Sequence, residues 1–188
     1  MVKKIVRIAG LALALSLVSS VASARGIIKQ PGHHLDYGVE IEPHLILGHP
    51  FRPGDAGGPG VRFSIPIVDN GFIKKINNSV AIGFGLDYFA WGYRTWRRRG
   101  GYWGNYGRDT VWLPVVMQWN FYLHEKWSVF GEPGLAARLN ESGRRGGVDY
   151  IDPFVFFAGG RFHFTKDITL TMRLGFPVGF SVGVSFML

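Results

Sequence analysis

VWLPVVMQWNFYL, at residues 111–123, carries an apolar side chain at every second position. The odd-numbered members are Val111, Leu113, Val115, Met117, Trp119, Phe121 and Leu123. The even-numbered members include Gln118, Asn120 and Tyr122. Because successive side chains of a β-strand point to opposite faces, this period of two predicts a strand with one apolar and one polar face.

The same alternation recurs along the chain. It is regular in residues 168–174 and 178–188, and weaker in 37–47, 61–68, 80–91, 127–139 and 153–164. No segment with the helical period competes, and residues 71–78 fit either a short helical turn or an extra piece of strand. The pattern predicts an all-β fold of eight strands.

The composition of the 188 residues agrees with a β fold. Glycine occurs 27 times and aromatic residues make up 15% of the chain, which argues against disorder and against a helical bundle. Cysteine is absent, so disulfides, thiolate metal ligands and cysteine nucleophiles are excluded.

The first 24 residues have the parts of a secretory signal peptide. Lys3, Lys4 and Arg7 precede an apolar run over residues 8–18, and the small residues Ala22-Ser23-Ala24 follow. An uncleaved amphipathic anchor is the alternative. We expect residues 1–24 to be a signal peptide, 25–35 an N-terminal arm and 36–188 the barrel domain. Export without cysteine favours a bacterial periplasm or outer membrane.

The predicted connections alternate in length. Residues 48–60, 94–109 and 140–150 form long links, whereas 124–126 and 165–167 form short ones. Residues 175–177 form a tight turn on the long-loop side. This alternation is typical of outer-membrane barrels, although a soluble barrel would share the strand pattern.

The positions of the lysines favour the membrane alternative. After the signal segment, lysine occurs only outside the predicted strands, at Lys29, Lys74, Lys75, Lys126 and Lys166. A strand surface that faces water normally carries lysine freely, whereas lysine at mid-depth in a bilayer costs ~2–4 kcal/mol. The sequence therefore predicts a closed antiparallel eight-stranded transmembrane β-barrel with an up-and-down meander.

Residues 36–188 resemble the small eight-stranded bacterial outer-membrane β-barrel family, the OmpA/OmpX-like outer membrane β-barrel domain proteins. The features that carry the resemblance are the signal segment, the eight alternating strands and the last strand, VGFSVGVSF at residues 178–186. The resemblance implies that this strand is the recognition signal for the barrel-assembly machinery. The chain departs from the family by ending Phe186-Met187-Leu188, which moves the terminal aromatic residue two places inward.

The polar strand faces predict a balanced set of charges inside the barrel. The acids are Glu40, Glu42, Asp87 and Glu132, and the bases are Arg62, Arg138, Arg161 and Arg173. Buried charges persist when they are paired, and an eight-stranded barrel is just wide enough for side chains to fill. We therefore expect a plugged lumen; the alternative is a gated path for protons or ions.

A search for catalytic and metal-binding groups finds little. No histidine lies beside a serine on one face near the long loops. The trio Glu40, Glu42 and His44 shares a strand face, but strand alternation alone produces that spacing. His33 and His34 are two metal ligands without a third, and Gly83 and Gly85 lack the context of a nucleotide loop. We expect no enzymatic activity, no cofactor and no resident metal.

One long loop is rich in arginine and aromatic residues. Because arginine binds phosphate through two parallel hydrogen bonds and stacks on aromatic rings, a polyanion is the expected ligand. On the outer surface of a Gram-negative cell that polyanion is lipopolysaccharide, with specific adhesion or a merely solvated charge as alternatives. The candidate residues are Arg94, Trp96, Arg97, Arg98, Arg99, Trp103 and Arg108.

The sequence as a whole predicts a non-enzymatic integral protein of the cell outer membrane, serving envelope structure or surface interaction. Its expected partners are outer-membrane lipid, lipopolysaccharide and the assembly machinery, with no nucleic acid and a monomeric state. The alternatives are an enzyme that modifies lipid A and a narrow channel for small solutes.

Overall fold

The computed structural model describes the backbone of residues 26–48, 55–97, 102–140, 150–176 and 179–188. The predicted signal peptide, residues 1–24, lies outside them. Eight strands form: β1 (Glu40–Ile46), β2 (Asp55–Val68), β3 (Asn78–Arg97), β4 (Tyr102–His124), β5 (Trp127–Asn140), β6 (Tyr150–His163), β7 (Ile168–Phe176) and β8 (Gly179–Met187).

Each strand pairs with the next, and the sheet closes on itself between the first and last strands. The closing contact is antiparallel, with Ile41 opposite Phe186 and Leu45 opposite Val182. The predicted closed, antiparallel, eight-stranded meander is therefore confirmed. No helix in the described part of the chain has the length and apolar content to cross a membrane.

The strand ends differ from the sequence prediction at several positions. β6 begins at Tyr150 and β7 continues to Phe176, which lie in the predicted connections 140–150 and 175–177. β2 begins at Asp55, inside the predicted loop 48–60. β3 continues to Arg97 and β4 begins at Tyr102. Most of the predicted loop 94–109 therefore belongs to these two strands. β1 begins only at Glu40, and residues 71–77 form turns and bends, neither helix nor strand. Backbone hydrogen bonds between two strands can continue a hairpin beyond the residues that form an apolar face. Hydrophobic alternation therefore underestimates the length of the strands.

The barrel has an apolar outside and a mainly polar inside. Every strand presents at least one exposed large apolar side chain outward, such as Phe154 at 62% exposure and Leu174 at 49%. The buried interior includes seven residues of the predicted charge set. At the end with the short turns, rings pair on the outer surface, as in Trp119 with Phe121 and Trp127 with Phe162.

Candidate functional site: a charge ring inside the barrel

Six buried side chains form a closed circuit across the middle of the lumen. They project from β1, β2, β3, β5 and β7, where strand alternation aims them inward. We call this circuit the charge ring: Glu42, Arg173, Glu132, Arg62, Asp87 and His44.

Arg173 is the best-connected member of the charge ring. Its Nη1 and Nη2 donate to the two carboxylate oxygens of Glu42 at 2.7 and 3.0 Å. Its Nε and Nη2 donate to Glu132 at 2.8 and 3.1 Å. A guanidinium presents its donors in a planar fork, and here that fork bridges two carboxylates on strands β1 and β5.

The other half of the charge ring runs through Asp87. Arg62 Nη2 donates to Asp87 Oδ2 at 3.1 Å, and Arg62 Nη1 lies 3.7 Å from a carboxylate oxygen of Glu132. His44 Nε2 donates to Asp87 Oδ1 at 2.9 Å, while its Nδ1 lies 3.7 Å from Glu42 Oε1. That last distance completes the circuit in position only, and Nδ1 itself lies 3.3 Å from the backbone carbonyl oxygen of Glu42.

A second ion pair lies next to the charge ring, towards the short turns. Arg161 Nη2 donates to Glu40 Oε2 at 2.9 Å, and Arg161 Nη1 donates to Asn120 Oδ1 at 2.7 Å. The ring of Phe130 lies beneath two guanidinium groups, 4.3 Å from Arg161 and 5.2 Å from Arg173. Cation–π contacts thus link this pair to the charge ring.

The eighth predicted member of the charge set, Arg138, lies beside Trp112. Arg138 is half-buried, and its guanidinium lies 5.5 Å from the centre of the Trp112 ring. His44 takes the fourth basic place in the charge network among the described contacts. Sequence phase gave Arg138 the correct strand face, but its distance along the strand from Glu132 places it nearer the long loops.

Glycines opposite His44 leave room for the charge ring. A Cβ added at Gly183 would lie 2.6 Å from the His44 Cβ and 2.7 Å from the Pro43 carbonyl oxygen. A Cβ added at Gly60 would overlap the His44 ring. Gly60 of β2 and Gly183 of β8 thus leave the space that the imidazole occupies. A larger residue at either position would displace the ring.

An apolar cluster fills the lumen on the long-loop side of the charge ring. Sequence alternation missed it, since we expected apolar residues to face outward. In each strand, a member of the cluster is an even number of residues away from an inward-facing polar side chain. That spacing is the one feature of the sequence that indicates an inward position. The cluster comprises Ile46, Phe89, Trp112, Val116, Ala136, Val155 and Phe157.

Hydroxyl and imidazole groups occupy the lumen on the short-turn side. Ser128 Oγ lies 3.0 Å from His163 Nε2, and Thr169 Oγ1 lies 3.1 Å from His163 Nδ1. Sequence analysis overlooked this serine–histidine contact, which joins β5 to β6. It lacks the features of a nucleophile site, because Ser128 is fully buried and a threonine hydroxyl occupies the place of the orienting carboxylate.

Two residues just outside the strands cover this side of the lumen. Burial, with a smaller effect of the nearby Glu40 carboxylate, raises the pKa of Tyr37, which keeps its hydroxyl neutral. The ring of His34 stacks on Tyr122 with a centroid distance of 4.6 Å.

The described residues contain no group of three or more His, Asp or Glu side chains arranged to hold a metal ion.

Five of the predicted polyanion-binding residues belong to the paired part of the β3–β4 hairpin. Arg94, Trp96 and Arg97 belong to β3, and Trp103 and Arg108 to β4. In the pairing register, Trp96 lies opposite Trp103 and Trp91 opposite Arg108. Arg98 and Arg99 lie outside the described residues. A paired hairpin therefore brings these residue types to one end of the barrel.

No family model and no curated protein matches the chain. Among solved structures, the chain is similar to the Yersinia pestis outer membrane protein Ail in a phospholipid bilayer nanodisc. The identity is 11%, the match covers 81% of this chain and 100% of that one, and the TM-score is 0.47. The resemblance to the OmpA/OmpX-like proteins stays a prediction.

Proposed function

We propose that the protein is an integral outer-membrane β-barrel with a closed lumen, which serves envelope structure and contacts lipopolysaccharide. The observation that carries the proposal is the inverted distribution of polarity. Large apolar side chains are exposed on all eight strands, and the ionised side chains of the barrel middle point inward.

The outer surface favours hydrocarbon as its surroundings. Soluble monomers rarely expose a continuous apolar patch larger than a few hundred Å². Here the apolar surface encircles the barrel, and the five lysines that follow the predicted signal segment all lie outside the strands. The paired aromatic rings near the short turns match the aromatic girdle of a membrane interface.

The interior favours a plug over a channel. The charge ring spans the lumen with side chains from five strands, and the apolar cluster fills the next layer. A conducting path would need continuous water past both layers, and Glu132, Val155 and Phe157 are each at most 1% exposed. Closed packing of this kind is the expectation for eight strands.

The arginine-rich hairpin supports an anionic partner at the long-loop end. Its sequence combines arginine with tryptophan and tyrosine, and the hairpin lies at the end of the barrel that would face the cell exterior. Lipopolysaccharide supplies phosphates to that surface, and guanidinium groups bind phosphate through charge-assisted hydrogen bonds.

Cell fractionation tests the location. In a Gram-negative host, the mature protein should begin at Arg25 and sediment with outer membranes until detergent releases it. Recovery in the periplasmic fraction without detergent would refute the proposal.

A pair of triple variants tests the partner. Replacement of Arg97, Arg98 and Arg99 by Gln should weaken retention of purified lipopolysaccharide by the detergent-solubilised barrel, most clearly at low salt. The matched control replaces three lysines of the opposite end, Lys29, Lys74 and Lys75, by Gln. Equal retention by the two variants would contradict a role for the hairpin.

A further inference from the structure

A cavity of about 500 Å³ opens at the short-turn end of the barrel, opposite the arginine-rich hairpin. Its walls come from the N-terminal arm, the β4–β5 turn, the β6–β7 turn and the inner ends of β4 and β6. The volume lies within the range of small-molecule sites. None of the functions considered above uses this cavity.

Backbone contacts hold the arm in place as one wall of the cavity. Ile27 N–H donates to the Leu123 carbonyl at 3.1 Å, and Asn77 N–H donates to the Ile28 carbonyl at 2.7 Å. Asn77 Nδ2 also donates to the His33 carbonyl at 2.8 Å. These contacts fix the arm against the barrel, and a wall that is already held by protein hydrogen bonds needs little further ordering on binding.

The lining holds two lysines and one carboxylate, so it carries a net positive charge. Lys126 and Lys166 come from the two turns, and a hydrogen bond from His163 N–H to the Lys126 carbonyl at 3.0 Å joins the β4–β5 turn to the end of β6. Within the described residues, neither lysine ammonium group makes an ion pair or a hydrogen bond, and the single lining carboxylate is Glu125. The lining histidines are His33, His34, His124 and His163.

His124 has a free ring donor. His124 Nδ1 accepts the backbone N–H of Lys126 at 3.1 Å, so the neutral ring carries its hydrogen on Nε2. That N–H has no partner among the described residues. His34 and His163 differ, because their ring nitrogens already contact protein oxygens.

We propose that this cavity binds the phosphate group of a small ligand that enters from the aqueous side of the short-turn end. Two ammonium groups and an imidazole N–H match the charge and the acceptor oxygens of a phosphate monoester. The apolar side chains of Ile27, Leu35 and Phe164 line the same cavity and offer contact to the organic part of the ligand. This proposal does not depend on lipopolysaccharide binding at the opposite end.

An NMR titration of the whole folded protein in detergent micelles tests the proposal. We expect glucose 6-phosphate to shift amide signals of Gly32, Lys126 and Thr165 saturably. Uncharged glucose should leave them unchanged. The absence of saturable shifts at tens of millimolar, or equal binding of glucose, would overturn the proposal.

Paired charge variants locate the binding. The double variant Lys126→Gln/Lys166→Gln should bind glucose 6-phosphate at least about tenfold more weakly. The matched control Lys74→Gln/Lys75→Gln removes the same charge from the β2–β3 connection at the same end of the barrel and should bind as the unmodified protein does. Equal weakening in both would assign the effect to diffuse charge and refute the site.

The source of the phosphate is distinguished by two further probes. Shifts with inorganic phosphate as well as the ester would assign recognition to the phosphate group itself and support the proposal. Shifts that occur only in nanodiscs containing phosphatidylglycerol, and with neither soluble probe, would identify a lipid headgroup and refute a ligand from the aqueous side.

Discussion

Replacement of Glu132 by Ala should strongly destabilise the barrel. The carboxylate is completely buried and receives donors from Arg173 Nε, Arg173 Nη2 and Gln118 Nε2 at 2.8, 3.1 and 2.8 Å. It also lies 3.7 Å from Arg62 Nη1. Removing one partner of a buried ion pair costs ~3–5 kcal/mol, because the other charge stays buried without compensation.

Urea unfolding in detergent micelles, followed by tryptophan fluorescence, measures this loss. Glu132→Gln keeps the size of the side chain, removes its charge and replaces one acceptor oxygen by an amide donor, so we expect a smaller loss of about 1.5–3 kcal/mol. Glu125→Ala removes an exposed carboxylate from a turn and should change the free energy of unfolding by less than about 0.5 kcal/mol.

A double-mutant cycle tests whether the charge ring acts as a unit. The losses for Glu132→Ala and Arg173→Ala should not add, with a coupling energy of about 0.5–3 kcal/mol. A loss below about 1 kcal/mol for Glu132→Ala, or an equal loss at Glu125, would refute the buried-pair reasoning.

Three more outcomes follow from the same structure. Gly183→Ala should lower the free energy of unfolding in urea by about 1–3 kcal/mol, because the added Cβ meets the His44 Cβ and the Pro43 carbonyl. In the control Gly131→Ala, the added Cβ meets nothing within 4 Å, so the change should be neutral or slightly stabilising. Equal effects would contradict the crowding at the charge ring. The unmodified barrel should pass no steady current in planar bilayers, and large single-channel currents would refute the closed lumen. Unboiled protein in SDS should migrate differently from boiled protein, since each strand edge is paired, and identical migration would argue against a closed barrel.

The strand number was predictable because alternation is a local signal. Residues 111–123 and 168–174 alternate so regularly that their inward faces could be assigned from sequence alone. The extent of the strands was less predictable. Residues 94–97 and 102–108 continue the β3–β4 hairpin without a clear apolar face, so hydrophobicity placed them in a loop.

Strand phase indicates which charged side chains face inward, but it does not indicate which of them pair, and His44 was not in the predicted charge set. Strand phase places Glu42 and Arg173 on inward faces, but their contact depends on how far β1 and β7 are shifted along one another after closure. The inward Val155 and Phe157 were missed because alternation cannot tell an apolar lumen layer from a lipid-facing one. The cationic cavity depends on the path of the arm, for which the sequence has no periodic signal.

The connectivity of the charge ring has a kinetic consequence. In the charge ring, Glu42 and Arg173 are 131 residues apart, and in the neighbouring ion pair Glu40 and Arg161 are 121 apart, so each pair joins the first strand to one of the last three. Neither pair can form before the strands are nearly all in place, and until then the charges stay hydrated. Interactions that form after the transition state slow unfolding and leave the folding rate almost unchanged. These long-range ion pairs should therefore form late in assembly. They should slow unfolding of the completed barrel and have little effect on the order in which the strands pair.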